Sequence, residues 1–135
     1  GDEQLALLVG VDTQVCHGML RCGAIGLITG IGNVLPQPVL KLFELCLMAL
    51  KGDAQAKSYA NQLDDALMVL STFDEGPDLV LYYKYLLFLK GESEYEFHFN
   101  AFDELSPSQK KFAENHLKLF ERWWDGWEGK NHQTN

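Results

Sequence analysis

Leu5-Ala6-Leu7-Leu8-Val9-Gly10-Val11-Asp12 and Gly26-Leu27-Ile28-Thr29-Gly30-Ile31-Gly32-Asn33 are the two segments that decide the fold. A continuous apolar run closed by glycine is the pattern of a strand buried on both faces of a parallel sheet. Between them, Thr13 to Cys22 reads as a short helix stopped by Gly23. Strand, helix and strand in this order make a βαβ unit, whose crossover is right-handed in parallel sheets. Two parallel strands alone leave open edges and unpaired backbone groups. The pattern therefore predicts further strands, supplied by a longer chain or by another copy.

After Asn33 the pattern becomes helical. Pro36 and Pro38 open a helix to Leu50, with Val39, Leu40, Phe43, Leu47 and Leu50 expected on its apolar face. Gly52 ends it, and Asp53 is a good N-cap for a helix carrying Leu63, Ala66, Leu67 and Leu70. Gly76-Pro77-Asp78 breaks the chain before a helix holding Leu79, Leu81, Tyr82, Tyr85, Leu86 and Leu89, stopped by Gly91. Residues 92 to 105 form a connection with Tyr95, Phe97, Phe99 and Phe102. Ser106-Pro107 then starts a last helix to about Trp127, with Phe112, His116, Leu119, Phe120 and Trp123 near one stripe. The division expected is 1–35 for two strand–helix units, 36–127 for the helices and 128–135 for a flexible polar tail.

With 135 residues, 47% hydrophobic and 22% charged, the chain is globular in composition and suits one domain. A formal net charge of −8 disfavours nonspecific binding to nucleic acid or anionic membrane. The apolar runs are broken well short of the roughly 20 residues that span a bilayer. Cys16, Cys22 and Cys46 make no CxxC pair, and their apolar neighbours predict reduced, buried thiols in a cytoplasmic protein. The start at Gly1-Asp2-Glu3-Gln4 lacks Met and precedes an apolar run, which raises truncation or processing as an expectation.

Chemistry-bearing residues are sparse. Gly10-Val11-Asp12-Thr13 falls where a parallel strand gives way to a helix, an edge at which ligands bind in αβ barrels. Gly10 lets a ligand approach the backbone, and Asp12 either accepts hydrogen bonds from substrate hydroxyls or caps the next helix. On the second strand, Thr29 and Gly30 either face a ligand or serve close backbone packing; the glycine spacing is not the dinucleotide GxGxxG. His17, His98, His116 and His132 show no metal-ligand spacing, so no metal or other cofactor is expected. Lys84, between aromatics, reads as a snorkelling side chain rather than a nucleophile. Trp123, Trp124 and Trp127 read as packing residues. No serine triad, paired carboxylates or P-loop is visible.

Together these segments resemble the dihydrodipicolinate synthase and N-acetylneuraminate lyase family over Leu5 to Trp127. Leu8-Val9-Gly10-Val11-Asp12 looks like its seventh barrel strand with a Gly-x-Asp end. Residues Gly23 to Val34 resemble its eighth strand, which typically closes with Asn-Val. Ala49-Leu50-Lys51-Gly52-Asp53 resembles a turn between its helices, and Glu75-Gly76-Pro77 followed by Lys84 resembles a loop and helix of its C-terminal region. The resemblance implies an α/β fold: the C-terminal portion of a TIM (β/α)8 barrel, holding the last two strands, followed by a helical C-terminal region. It implies a class I lyase, an aldolase or dehydratase, that joins a lysine to pyruvate or another 2-oxo acid as a Schiff base, in a cytoplasmic homotetramer. The imine acts as an electron sink for an adjacent carbanion. The family's lysine, its tyrosine partner and its carboxylate-binding segment sit on earlier strands, so no catalytic residue is expected here and the piece alone is expected to be inactive. The residues that carry over as substrate-binding are Gly10, Asp12, Ile28 (through its carbonyl), Thr29 and Gly30. Thr13 stands where sialic-acid lyases have glutamate, which argues against a sialic acid substrate. The competing reading of the sequence is a noncatalytic helical interaction module.

Overall fold

The protein is described by a computed structural model that covers residues 5–98, 100 and 102–134. Gly1-Asp2-Glu3-Gln4, on which the expectation of truncation drew, and Phe99 of the aromatic connection lie outside the described residues. The order of elements is β1 (Leu8–Val9), α1 (Val15–Arg21), β2 (Gly26–Leu27), α2 (Pro36–Leu50), α3 (Ala54–Ser71), α4 (Leu79–Leu89) and α5 (Pro107–Gly126), with short 3-10 turns between them.

This order corrects the expected fold class. The described residues form a small, mostly helical domain of five helices, and no portion of a TIM barrel is evident among them. The two strands have two residues each and pair in parallel, Leu8 with Gly26 and Val9 with Leu27. Flanking bonds from Ile25 N–H to the Leu7 carbonyl and from Ile28 N–H to the Val9 carbonyl extend the pairing slightly. The apolar run has the composition of a strand covered on both faces, but of Leu5 to Val9 only Val9 is buried. Leu5, Leu7 and Leu8 are 81%, 51% and 48% exposed, so the described chain covers one face of the pair and not the other. On the covered face α1 comes very close: a Cβ on Gly18 would lie 2.3 Å from Val9 Cγ2, so only glycine fits there.

The helices begin and end where local chemistry dictates. Asp53 accepts from Ala56 N–H at 2.9 Å and caps α3. Ser106 and Gln109 make a reciprocal capping box at the start of α5, with Pro107 in the first turn. Gly52 and Gly91, both at φ 102°, leave α2 and α4 through the left-handed region that glycine favours.

The core is contiguous. It holds Leu42, Leu45 and Cys46 of α2, Ala56, Ala60, Leu63 and Leu70 of α3, Leu86 of α4 and Phe120 of α5. α2 and α3 make the most extensive contact between helices. Of the expected apolar face of α2, Phe43 packs partly buried against the core. Val39 is buried, but Leu40, Leu47 and Leu50 are exposed, and the core takes Leu42, Leu45 and Cys46 instead. On α5, Phe120 is buried while Phe112 and Leu119 are exposed. Beyond Trp127, the segment read as a polar tail makes a turn at Glu128–Asn131, and His132 Nε2 lies 2.8 Å from Asp53 Oδ2. Trp127 itself is buried, and its indole N–H donates to Gln62 Oε1 at 2.9 Å.

Phe120 is 2% exposed and Phe102 94% exposed, so their truncations should separate cleanly. Phe120→Ala is expected to cost about 3–5 kcal/mol in urea denaturation. Phe102→Ala should stay within about 0.5 kcal/mol of the parent.

Candidate functional site

Asp12 follows β1 and Thr29 follows β2, so both lie beyond the carboxyl ends of the parallel pair. In open parallel sheets that end is where ligands bind. The Asp12 side chain crosses to the second loop, where Oδ2 accepts from Gly30 N–H and Ile31 N–H, each at 3.0 Å. Oδ1 accepts from the Thr29 hydroxyl. The carboxylate therefore caps the turn at Ile31–Asn33 rather than helix α1, at whose start it was the candidate cap. Thr29 Oγ1 also accepts from Gly32 N–H at 3.0 Å, and Asn33 Nδ2 donates to the Gly30 carbonyl at 3.1 Å, closing the loop on itself.

A third segment joins from far along the chain. Asp12 N–H donates to Asp74 Oδ2 at 3.1 Å, and the Tyr83 hydroxyl donates to Asp74 Oδ1 at 2.8 Å. The Tyr83 ring lies over Gly30 so closely that a Cβ there would sit 2.6 Å from Tyr83 Cε2. Asp74 and Tyr83 were not singled out in the sequence. Nothing in the spacing marks them, because Asp74 is 62 positions from Asp12. Burial pushes the Asp12 carboxyl above its ordinary range. The Thr29 hydroxyl and Ile31 amide pull it down, and the neighbouring Asp74 adds to the rise. Burial, and then the hydrogen bond to Asp74, likewise raise the Tyr83 hydroxyl.

Of the five residues expected to bind substrate, the structure brings Asp12, Thr29 and Gly30 into one hydrogen-bonded unit. Gly10 is exposed, with open space where a Cβ would be, and the Ile28 side chain is 69% exposed. A depression of about 500 Å³ lies beside them, lined by Leu27, Thr29, Gly32, Asn33, Leu40 and Phe43. Within the unit the Asp12 carboxylate is held by three donors, so it is a positioning group and not a free general base. No protein-family model matches the chain, and no curated protein matches it significantly. The likeness to the lyase family accordingly rests on the quoted residues.

The other chemistry-bearing side chains fall elsewhere. Lys84 Nζ donates to the Phe97 carbonyl. All three cysteines are free; Cys16 and Cys46 are buried with Sγ atoms 3.9 Å apart, whereas Cys22 is exposed. The hydrogen shared with Cys46, together with burial, holds the Cys16 thiol well above its ordinary range, which makes it a poor nucleophile. Asp64 is pushed up to about 6, chiefly by burial and then by the charge of Asp65. Among the described residues, no three His, Cys, Asp or Glu side chains gather closely enough to hold a metal ion, and no helix is long and apolar enough to cross a membrane.

Two outcomes are expected. Asp12→Ala leaves the amides of Gly30 and Ile31 without their acceptor and should cost about 2–4 kcal/mol in urea denaturation. Asp12→Asn, which keeps one carbonyl oxygen, should cost less. Asp64 has a folded-state pKa above its ordinary 3.8, so the folded state binds more protons than the unfolded state between there and about 6. Its contribution to stability is full below that window and is lost as pH rises through about 6. Asp64→Asn should therefore lose less stability than the parent between pH 4 and pH 7, read as the difference in urea midpoints.

Proposed function

We propose that the chain is the substrate-tail-contacting part of a Schiff-base-forming lyase, an aldolase or dehydratase acting on pyruvate or another 2-oxo acid, with the reactive lysine outside these 135 residues. The observation that carries this reading is the position of Asp12, Thr29 and Gly30 together beyond the carboxyl ends of two parallel strands. In this reading Asp12 fixes the two loops. Gly10, the Ile28 carbonyl, Thr29 and Gly30 then face the variable end of the substrate, with the depression beside Thr29 taking its apolar part. Both edges of the pair are open among the described residues. The complete enzyme would be a cytoplasmic homotetramer. On its own the 135-residue chain would be inactive, because a carbanion needs the imine as its electron sink.

A second reading, a noncatalytic helical interaction module, is favoured by one observation: the Asp12 carboxylate spends most of its acceptor capacity on the chain's own donors. Borohydride reduction in the presence of pyruvate separates the two. The lyase reading expects no adduct on the isolated chain and an adduct, located by peptide mass, on a lysine outside residues 1–135 in the whole polypeptide that the gene encodes. No adduct in either preparation would leave only the interaction module. An adduct on Lys84, or on any other lysine of the isolated chain, would overturn the placement of the reactive amine.

A further inference from the structure

Between α4, α5 and the connection that joins them lies a second cavity, of about 370 Å³, within the range of small-molecule sites. Tyr85 and Phe88 of α4 make one wall, and Tyr95 and Phe97 of the connection make the facing rim. The Lys84 ammonium ties that rim to α4 through the Phe97 carbonyl. Tyr95 is 37% and Phe97 73% exposed, so the rim is accessible.

The polar groups of this cavity are unbalanced. Lys110 Nζ pairs with Glu104 Oε1 at 2.6 Å and lies 5.9 Å from the centre of the Tyr85 ring. One ammonium group thus already rests near the aromatic wall, which shows the kind of charge that this wall suits. Glu96 lines the same cavity and acts on the same Lys110. Glu104 holds that ammonium, whereas Glu96 makes no ion pair among the described residues. His98 also lines the cavity, and its Nδ1 is buried without a hydrogen-bond partner among the described residues. A ligand with a hydrogen-bonding group would relieve that nitrogen. An anion would meet the unpaired Glu96 carboxylate, and a wholly apolar ligand would leave both polar groups unanswered.

We propose that this cavity binds a small organic ammonium compound with an apolar body, the body against Tyr85, Phe88 and Phe97 and the cationic end toward Glu96 and His98. The site is separate from the loops after the strands and does not depend on the lyase reading.

Three molecules of one shape test it: 2-phenylethylammonium, 2-phenylethanol and phenylacetate, titrated into the 135-residue chain at pH 8, above the ordinary histidine range. Binding is followed by calorimetry and by amide shifts in nuclear magnetic resonance. The expected result is saturable binding of the ammonium compound, roughly tenfold tighter than either isostere, as a cation beside an unpaired carboxylate implies. The shifts should centre on Tyr95, Phe97 and His98. Glu96 is exposed, so Glu96→Gln should leave the melting temperature unchanged while weakening the ammonium compound about fivefold and the alcohol hardly at all. Equal affinity for the three compounds, tighter binding of phenylacetate, no saturable shift with the ammonium compound, or an unaltered affinity in Glu96→Gln would each overturn the proposal.

Discussion

The Asp12 carboxylate accepts from two backbone amides and a hydroxyl of the second loop, while its own backbone amide donates to Asp74, which in turn accepts from Tyr83. Hydrogen bonds to a charged partner contribute about 1.5–3 kcal/mol each, and an amide left unsatisfied in the interior costs a similar amount. That constraint fixes the loop after β1 to the loop after β2, and both to the start of α4. A pair of two-residue strands has too few ladder bonds to hold its own register. Close packing of Gly18 on Val9 and the Asp12 network supply what the short strands lack. Tyr83 over Gly30 then fixes how the later helices sit against this corner.

Much of the helical part could be read directly. Asp53, Ser106-Pro107, Gly52 and Gly91 mark helix ends by local chemistry, and local chemistry does not depend on what the rest of the chain does. Strand length and coverage are different in kind. Leu5 to Val9 carries the composition of a doubly covered strand, yet coverage is a property of the neighbours, and only Val9 finds one among the described residues. Helix α2 misled for a related reason. It is apolar around much of its circumference, so periodicity offers more than one stripe, and tertiary packing, chiefly with α3, selects Leu42, Leu45 and Cys46. At the candidate site, Asp12, Thr29 and Gly30 could be found because they follow apolar runs. Asp74 and Tyr83 could not, because their role exists only once α4 has folded back on the first two loops.

The stripe that α2 does not bury has its own significance. Leu40, Leu47 and Leu50 are exposed on this helix, and Leu5, Leu7, Ile25 and Ile28 are exposed at and beside the strand pair. Single exposed apolar residues are ordinary, but a succession of them around an open parallel pair is not. It marks the side of the domain where burial is incomplete. The side holding α4 and α5 differs, since there the aromatic residues enclose a cavity with charged groups of its own.

Asp53 serves two distant segments of the chain at once. It caps the first turn of α3 and meets the imidazole of His132, which also offers its carbonyl to Lys41 of α2. A purification tag or fusion partner inserted close behind His132 would pull on this knot, and its strain would be felt at the α2–α3 corner. A spacer of several flexible residues, or a tag placed elsewhere, keeps that corner as the chain made it.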